Sequence, residues 1–203
     1  NDSLLITFTL SEAASNFTSN DVSLSGGQLS SFTATSSTVY TAIFKPSSAG
    51  ETTIDVATNV FTDGAGNDNI ASSQFNWSFD NVAPTISISA KNSNGNAVND
   101  GAVTNNDSLL ITFTLSEAAS NFTSNDVSLS GGQLSSFTAT SSTVYTAIFK
   151  PSSAGETTID VATNAFTDGA GNNNIASSQF NWSFDNVAPT ISSLNLLSDN
   201  SAV

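Results

Sequence analysis

Residues 1–98 and 106–203 are nearly one sequence written twice, displaced by 105 residues. Over the first 87 aligned positions only two pairs differ, Val60 against Ala165 and Asp68 against Asn173. Self-similarity at a fixed period is the signature of a repeat array. A period of 105 residues is the size of one domain able to bury its own core, unlike the short solenoid unit that folds only against its neighbours. Catalysis rarely needs the same 105 residues in tandem, whereas a stalk, filament or spacer does.

Within each copy, apolar residues alternate with period two, which predicts strands. Ser3–Leu10 puts Leu4, Ile6, Phe8 and Leu10 on one face, and Val39–Lys45 does the same with Tyr40, Ala42 and Phe44. Thr52–Ala57 turns Ile54 and Val56 inward and Asp55 outward, and Gln74–Phe79 aligns Phe75, Trp77 and Phe79 as a core stripe. Val22–Ser25 and Leu29–Ala34 are weaker strands joined at Gly26-Gly27, and Pro84–Ala90 opens the next copy ahead of a polar loop. About seven strands per 105-residue repeat, without helical spacing anywhere, predict an all-β fold of antiparallel two-sheet sandwiches in tandem.

Composition narrows the function. Seventeen acidic residues face three lysines, giving a net charge of −14. That excludes phosphate-binding surfaces, so no nucleic-acid partner and no anionic membrane surface are expected. Such a surface attracts cations. No apolar run reaches the roughly 20 residues of a membrane helix, so no direct membrane insertion is expected. His, Cys and Met are absent. There is therefore no disulfide framework and no thiolate metal site, and the common nucleophile–base pairs cannot be assembled. The chain is read as not an enzyme. Its richness in Ser, Thr and Asn, with no cysteine, suits an extracellular or cell-surface protein. With no initiating Met and no leader, it is expected to be a mature or excised piece of something longer.

Asn81-Val82-Ala83-Pro84, repeated as Asn186-Val187-Ala188-Pro189, marks the boundary, because proline removes a ladder donor where one sheet ends and another begins. On this boundary residues 1–80 form a repeat lacking its first strand, 81–185 a complete repeat, and 186–203 the first strand of a following one. The short linker predicts repeats held end to end. The ends are complementary, and two explanations follow. The chain is a window on a longer array, or Val187, Pro189, Ile191, Leu194, Leu196 and Val203 form a donor strand that fills the open first domain of an adjacent subunit in a pilus-like filament.

The segments Leu10–Ala14 (LSEAA), Val39–Pro46 (VYTAIFKP), Phe61–Asn67 (FTDGAGN) and Trp77–Thr85 (WSFDNVAPT) resemble bacterial Ig-like repeats, over the whole chain and in order at the 105-residue period. The resemblance implies Ig-like sandwiches used as building blocks of large surface proteins and adhesins, often stiffened by calcium. Partners are then neighbouring Ig-like repeats, in the same chain or in adjacent subunits.

In a seven-strand sandwich the loop after the second strand and the loop before the last share a pole with the incoming linker. These bring Glu117, Asp168, Asp80 and Asn81 to one place, where carboxylate and amide oxygens suit Ca2+, which takes six to eight oxygen ligands. Gly169 and Gly171 allow the loop to turn carbonyls inward. By the same logic Glu12, Asp63 and Asp68 would serve a joint before residue 1, and Asp185 and Asn186 a joint after residue 185. The alternative is that Asp168 caps a turn, Glu117 is solvated and Asp80 ends a strand.

The expected function is a structural extracellular repeat forming a stiff stalk, its joints held by Ca2+. The alternatives are the donor-strand filament and a carbohydrate- or protein-binding module. The last lacks the exposed aromatic clusters that anchor such ligands, since Trp77 and Trp182 fall in the core stripe.

Overall fold

The structure, a computed structural model, describes residues 3–195. It divides into two compact units, Asn1–Val82 and Ala83–Val203. Among the described residues no helix is long and apolar enough to cross a membrane.

In the first unit the strands are β1 (Leu4–Thr9), β2 (Val22–Ser25), β3 (Gly27–Ala34), β4 (Val39–Pro46), β5 (Gly50–Val56) and β6 (Phe75–Phe79). They form two three-stranded sheets, ordered β1-β4-β3 and β2-β5-β6, with every pair antiparallel. The predicted alternation is visible directly: in β4 Tyr40, Ala42, Phe44 and Pro46 are buried while Lys45 is exposed. Gly26-Gly27 joins β2 to β3 as expected, and in doing so carries the chain from one sheet to the other. Gly26 takes φ +76°, and a Cβ on Gly27 would sit 2.3 Å from the Phe44 ring, so both positions require glycine.

The second unit repeats these six strands as β10 (Leu109–Leu115), β11 (Val127–Ser130), β12 (Gly132–Ala139), β13 (Val144–Pro151), β14 (Gly155–Val161) and β15 (Phe180–Phe184). Ahead of them stand β7 (Ile86–Lys91), β8 (Ala97–Val98) and β9 (Ala102–Thr104). The sheets become β12-β13-β10-β7-β8 and β11-β14-β15-β9. Among the described residues this unit therefore carries nine strands rather than seven, because the polar loop after β7 contains two short ones. One pairing, β9 with β15, is parallel, as the chain crosses from the first sheet to the second between β8 and β9.

The core lies between the sheets. Leu109, Ile111, Phe113 and Leu115 of β10 meet Ile159 and Val161 of β14 and Phe180 and Trp182 of β15, all buried. Phe122 gathers an aromatic cluster, with ring centroids 5.0 Å from Tyr145, 5.0 Å from Phe166 and 5.5 Å from Phe137. In the first unit the same residue types are less covered. Phe75 is 54% exposed where its counterpart Phe180 is 6%, because nothing among the described residues flanks the outer edges of β1 and β6.

Candidate functional site

The loop between β14 and β15 is folded around two polar side chains. Asp168 is 3% exposed. Its Oδ1 accepts from the backbone N–H of Ala170 (2.8 Å), Gly171 (2.7 Å) and Asn172 (2.9 Å), and its Oδ2 from Asn172 Nδ2 (2.8 Å). Gly171 at φ +94° is what lets three successive amides point at one oxygen. Burial by itself would raise the Asp168 carboxyl. The hydrogen bonds from the Asn172 side chain and from the amides of Asn172, Gly171 and Ala170 outweigh it and hold the group below its ordinary value. The turn-capping role is thus real for Asp168.

Asn174, which sequence reasoning passed over, is the second organiser. It is 1% exposed and uses its full hydrogen-bonding capacity. Oδ1 accepts from Ala165 N (2.7 Å) and Phe166 N (2.9 Å), and Nδ2 donates to Ala162 O (2.8 Å) and Ile175 O (3.0 Å). Nothing in the run Gly171-Asn172-Asn173-Asn174 distinguishes this asparagine from its neighbours. Only the folded loop does.

The loop is pinned to the segment after β10. Ser120 N donates to Thr167 O (2.9 Å), and Asn121 Oδ1 accepts from Thr167 N (2.8 Å). Ala119 forms a bridge with Asp168. This registers Glu117, half-buried, beside the loop. Asp80, at the end of the first unit, is half-buried and its Oδ1 accepts from Val82 N (2.9 Å). Asn81 is exposed. Glu117 and Asp168 both belong to the second unit, and carboxylate oxygens are hard donors of the kind a divalent cation of the Ca2+ type takes.

The other predicted ligands are placed differently. Asp63 has the same cap as Asp168: Oδ1 accepts from Ala65 N and Asn67 N (2.8 Å each), and Oδ2 from Asn67 Nδ2 (2.8 Å). The Asn67 side-chain bond, foremost, holds its carboxyl below the ordinary value. Glu12 is exposed, and no three-membered acidic group forms around it and Asp63 among the described residues. Asp68 is exposed and, like Asn173 in the second copy, bridges the loop through its backbone. Asp185 and Asn186 are exposed, and Asp185 Oδ1 accepts from Val187 N (2.9 Å). Val187, Pro189, Ile191 and Leu194 are exposed and in no strand, while Leu196 and Val203 lie outside the described residues.

The depressed Asp168 carboxyl sets a pH dependence. Its stabilisation is complete above the unfolded carboxylate value of about 3.9 and is lost as pH falls through the lower folded value. The melting temperature of the native chain should therefore exceed that of Asp168→Asn near neutral pH, and the gap should close below about pH 4. A gap independent of pH in calorimetric scans would remove the ionised cap from the account.

The bacterial Ig-like domain family matches the chain twice in succession, over residues 1–79 and 80–184. No curated protein matches the chain. Among solved structures it is similar to InvD of Yersinia pseudotuberculosis, at 15% identity over 94% of this chain and 57% of that one, with a TM-score of 0.40. It is similar also to the Escherichia coli adhesin FdeC, at 15% identity over 89% and 59% with a TM-score of 0.42. A third is SGBP-B of Bacteroides ovatus, solved with a mixed-linkage heptasaccharide, at 15% identity over 90% and 42% with a TM-score of 0.27. The chain spans less than two thirds of the length of each. With the all-β two-sheet architecture and two consecutive family matches, this chain belongs to the bacterial Ig-like domain family.

Proposed function

We propose that the chain is a structural segment of an extracellular surface stalk, in which a Ca2+ ion held by Asp80, Glu117 and Asp168 stiffens the entry to the second repeat. The observation that carries the reading is the duplication: the same domain recurs with two substitutions in 87 positions, which serves length and not a second chemistry. The absence of His, Cys and Arg and the core position of Trp182 support it against catalysis and against an aromatic binding platform. The ion would act as a crosslink. Asp168 Oδ1 is already occupied by three amides, so Asp168 would meet a cation through Oδ2, which also accepts from Asn172 Nδ2.

Extracellular modules bind calcium at roughly 10⁻⁴ to 10⁻³ M. At a hundredfold excess over such a Kd, calcium should stabilise the second repeat by about 2.7 kcal/mol. Calorimetry in about 10–100 mM CaCl2 against EDTA at matched ionic strength measures this, and small-angle scattering should show a narrower range of chain dimensions with calcium. Glu117→Gln and Asp80→Asn are the discriminating variants, because each removes a charge without removing the loop cap that Asp168 carries. Both should lose the calcium response, and with one negative charge fewer neither should lower the EDTA melting temperature. Equal stability with and without calcium in the native chain would rule the ion out.

A further inference from the structure

Three loops of this chain are folded on one plan, and one of them differs from the other two at a reactive position. In the loop after β5, Asp63 Oδ1 accepts from Ala65 N and Asn67 N, and Asp63 N donates to Asn67 O (3.1 Å). The Asp168 loop repeats this with Ala170 and Asn172. The turn between β7 and β8 puts Asn92 in the same place. Its Oδ1 accepts from Asn94 N (3.1 Å) and Asn96 N (3.0 Å), its backbone O accepts from Gly95 N (2.9 Å), and its N–H donates to Asn96 O (2.9 Å). Each loop carries a left-handed glycine at the same step, Gly66 at φ +88°, Gly171 at +94° and Gly95 at +81°. The residue ahead of that glycine is alanine at 65 and 170 but asparagine at 94. Asn94-Gly95 is the only Asn-Gly pair in the sequence.

We propose that Asn94 is a self-modification site, converted through a succinimide to aspartate and isoaspartate, and that Asn92 sets the rate. The amide nitrogen of Gly95 attacks Asn94 Cγ. The N–Cγ bond forms, the Cγ–Nδ2 bond breaks, and ammonia leaves with the proton that Gly95 N gives up. Water then opens the ring. Opening at Cγ leaves aspartate, and opening at the backbone carbonyl leaves isoaspartate, with the main chain rerouted through the side chain. Water is the only co-reactant, and nothing is oxidised or reduced. Asn94 and Gly95 are both exposed, and a Cβ on Gly95 would meet nothing within 4 Å, so nothing crowds the attack. The restraint lies in the turn itself, because the attacking nitrogen is the one whose N–H Asn92 O holds. That turn closes on β8, a strand of two residues, so opening it costs little. Isoaspartate adds a methylene to the main chain between the two amides that Asn92 Oδ1 holds, and the turn cannot keep both. Val98 of β8, buried in the core, then loses the turn that sets it beside Ala90.

The test holds the 203-residue chain in mildly alkaline buffer at physiological temperature and samples it over weeks. Cleavage ahead of Asp80 and Asp100 releases residues 80–99 for mass spectrometry. An aspartate formed at 94 adds a cleavage point for the same protease, whereas isoaspartate does not and is counted by its enzymatic methylation. The expected result is conversion at Asn94 well ahead of Asn92, Asn96 and Asn99 in the same peptide, with isoaspartate the larger product. Amide exchange at Asn96 should quicken in step with it, as its bond to Asn92 Oδ1 is lost. Asn92→Ala removes both side-chain bonds of the turn and should speed the conversion on the order of tenfold. Asn94→Gln, at an exposed position, should leave the fold intact and stop the conversion there, because the longer side chain closes its ring far more slowly. Conversion at Asn94 no faster than at the other asparagines of the peptide would overturn the site. An unchanged rate in Asn92→Ala would overturn the control assigned to the turn.

Discussion

Replacing Trp182 with alanine should destabilise the second repeat by about 4 kcal/mol, while the identical replacement at Trp77 should cost the first repeat about half as much. Trp182 is 1% exposed, with its ring centroid 4.8 Å from that of Phe149 in an edge-on contact. Trp77 is half-buried, and its centroid stands 6.2 Å from Phe44. The local sequence is the same in both copies, so propensity, strand pattern and immediate neighbours cancel. What remains is coverage by β7 and β9. Both copies keep the threonine that fixes the strand beneath the ring: Thr157 Oγ1 donates to Trp182 O at 2.8 Å, and Thr52 Oγ1 to Trp77 O at 2.6 Å.

Scanning calorimetry of the full chain gives the reading. The first repeat should melt first, because Phe75 and the β1 face remain open to water. For domains of this size each kcal/mol moves the midpoint by roughly 4–8 °C, so Trp182→Ala should lower the upper transition by roughly 15 °C or more. Trp77→Ala should shift the lower one by about half that. Equal shifts, or a single transition moved by both changes, would mean that the missing strands do not set the stability difference. Trp182→Phe should cost clearly less than alanine. The indole Nε1 has no protein hydrogen-bond partner, and phenylalanine removes that buried donor while keeping most of the apolar ring.

Much of this architecture is legible in the residues because a half-buried strand must alternate. Val39–Pro46 and Phe180–Phe184 show which side chains enter the core from spacing alone. What escaped notice depends on pairing rather than pattern. Ala97–Val98 and Ala102–Thr104 are two and three residues long, too short to show a period inside a polar loop. Their strand character comes from β7 and β15, which lie beside them only after the chain has folded. The parallel contact of β9 with β15 is non-local in the same way. The carboxylates at the pole were readable as candidates because Ig-like connectivity places the loops after β10 and before β15 at one end. The amide nest around Asp168 was readable in part, from glycines at 169 and 171. Asn69 and Asn174 were not readable at all, since an asparagine among asparagines carries no signal until backbone groups from several directions converge on it.

That convergence makes Asn174→Asp the most damaging conservative change available in the loop. The substitution is nearly isosteric, so packing is preserved and the effect isolates hydrogen bonding. Nδ2 donates to Ala162 O and Ile175 O, and a carboxylate oxygen at that position would face both carbonyls with a negative charge. Two bonds become two repulsive contacts at a site 1% exposed, and each unsatisfied buried group costs about 1–3 kcal/mol. A loss of at least about 3 kcal/mol from the upper transition is expected at neutral pH. Because protonation restores one donor, the penalty should shrink in acid; the Asp168→Asn deficit closes there too, but through weakening of the native chain itself. Asn174→Leu should be comparably harmful at every pH, leaving the amides of Ala165 and Phe166 without their acceptor. In the first repeat, Asn69 makes the equivalent bonds to Val60, Phe61, Ala57 and Ile70 but is half-buried. Water can replace part of what is lost there, so Asn69→Asp should move the lower transition by less than half as much. Amide exchange at Phe166 gives an independent reading. Its N–H is held by Asn174 Oδ1 and its ring packs 5.0 Å from Phe122, so release of the loop should speed that exchange before the sheets unfold. Unchanged exchange at Phe166 in Asn174→Leu would show that the loop is held by its sheet contacts alone and that the asparagine is dispensable.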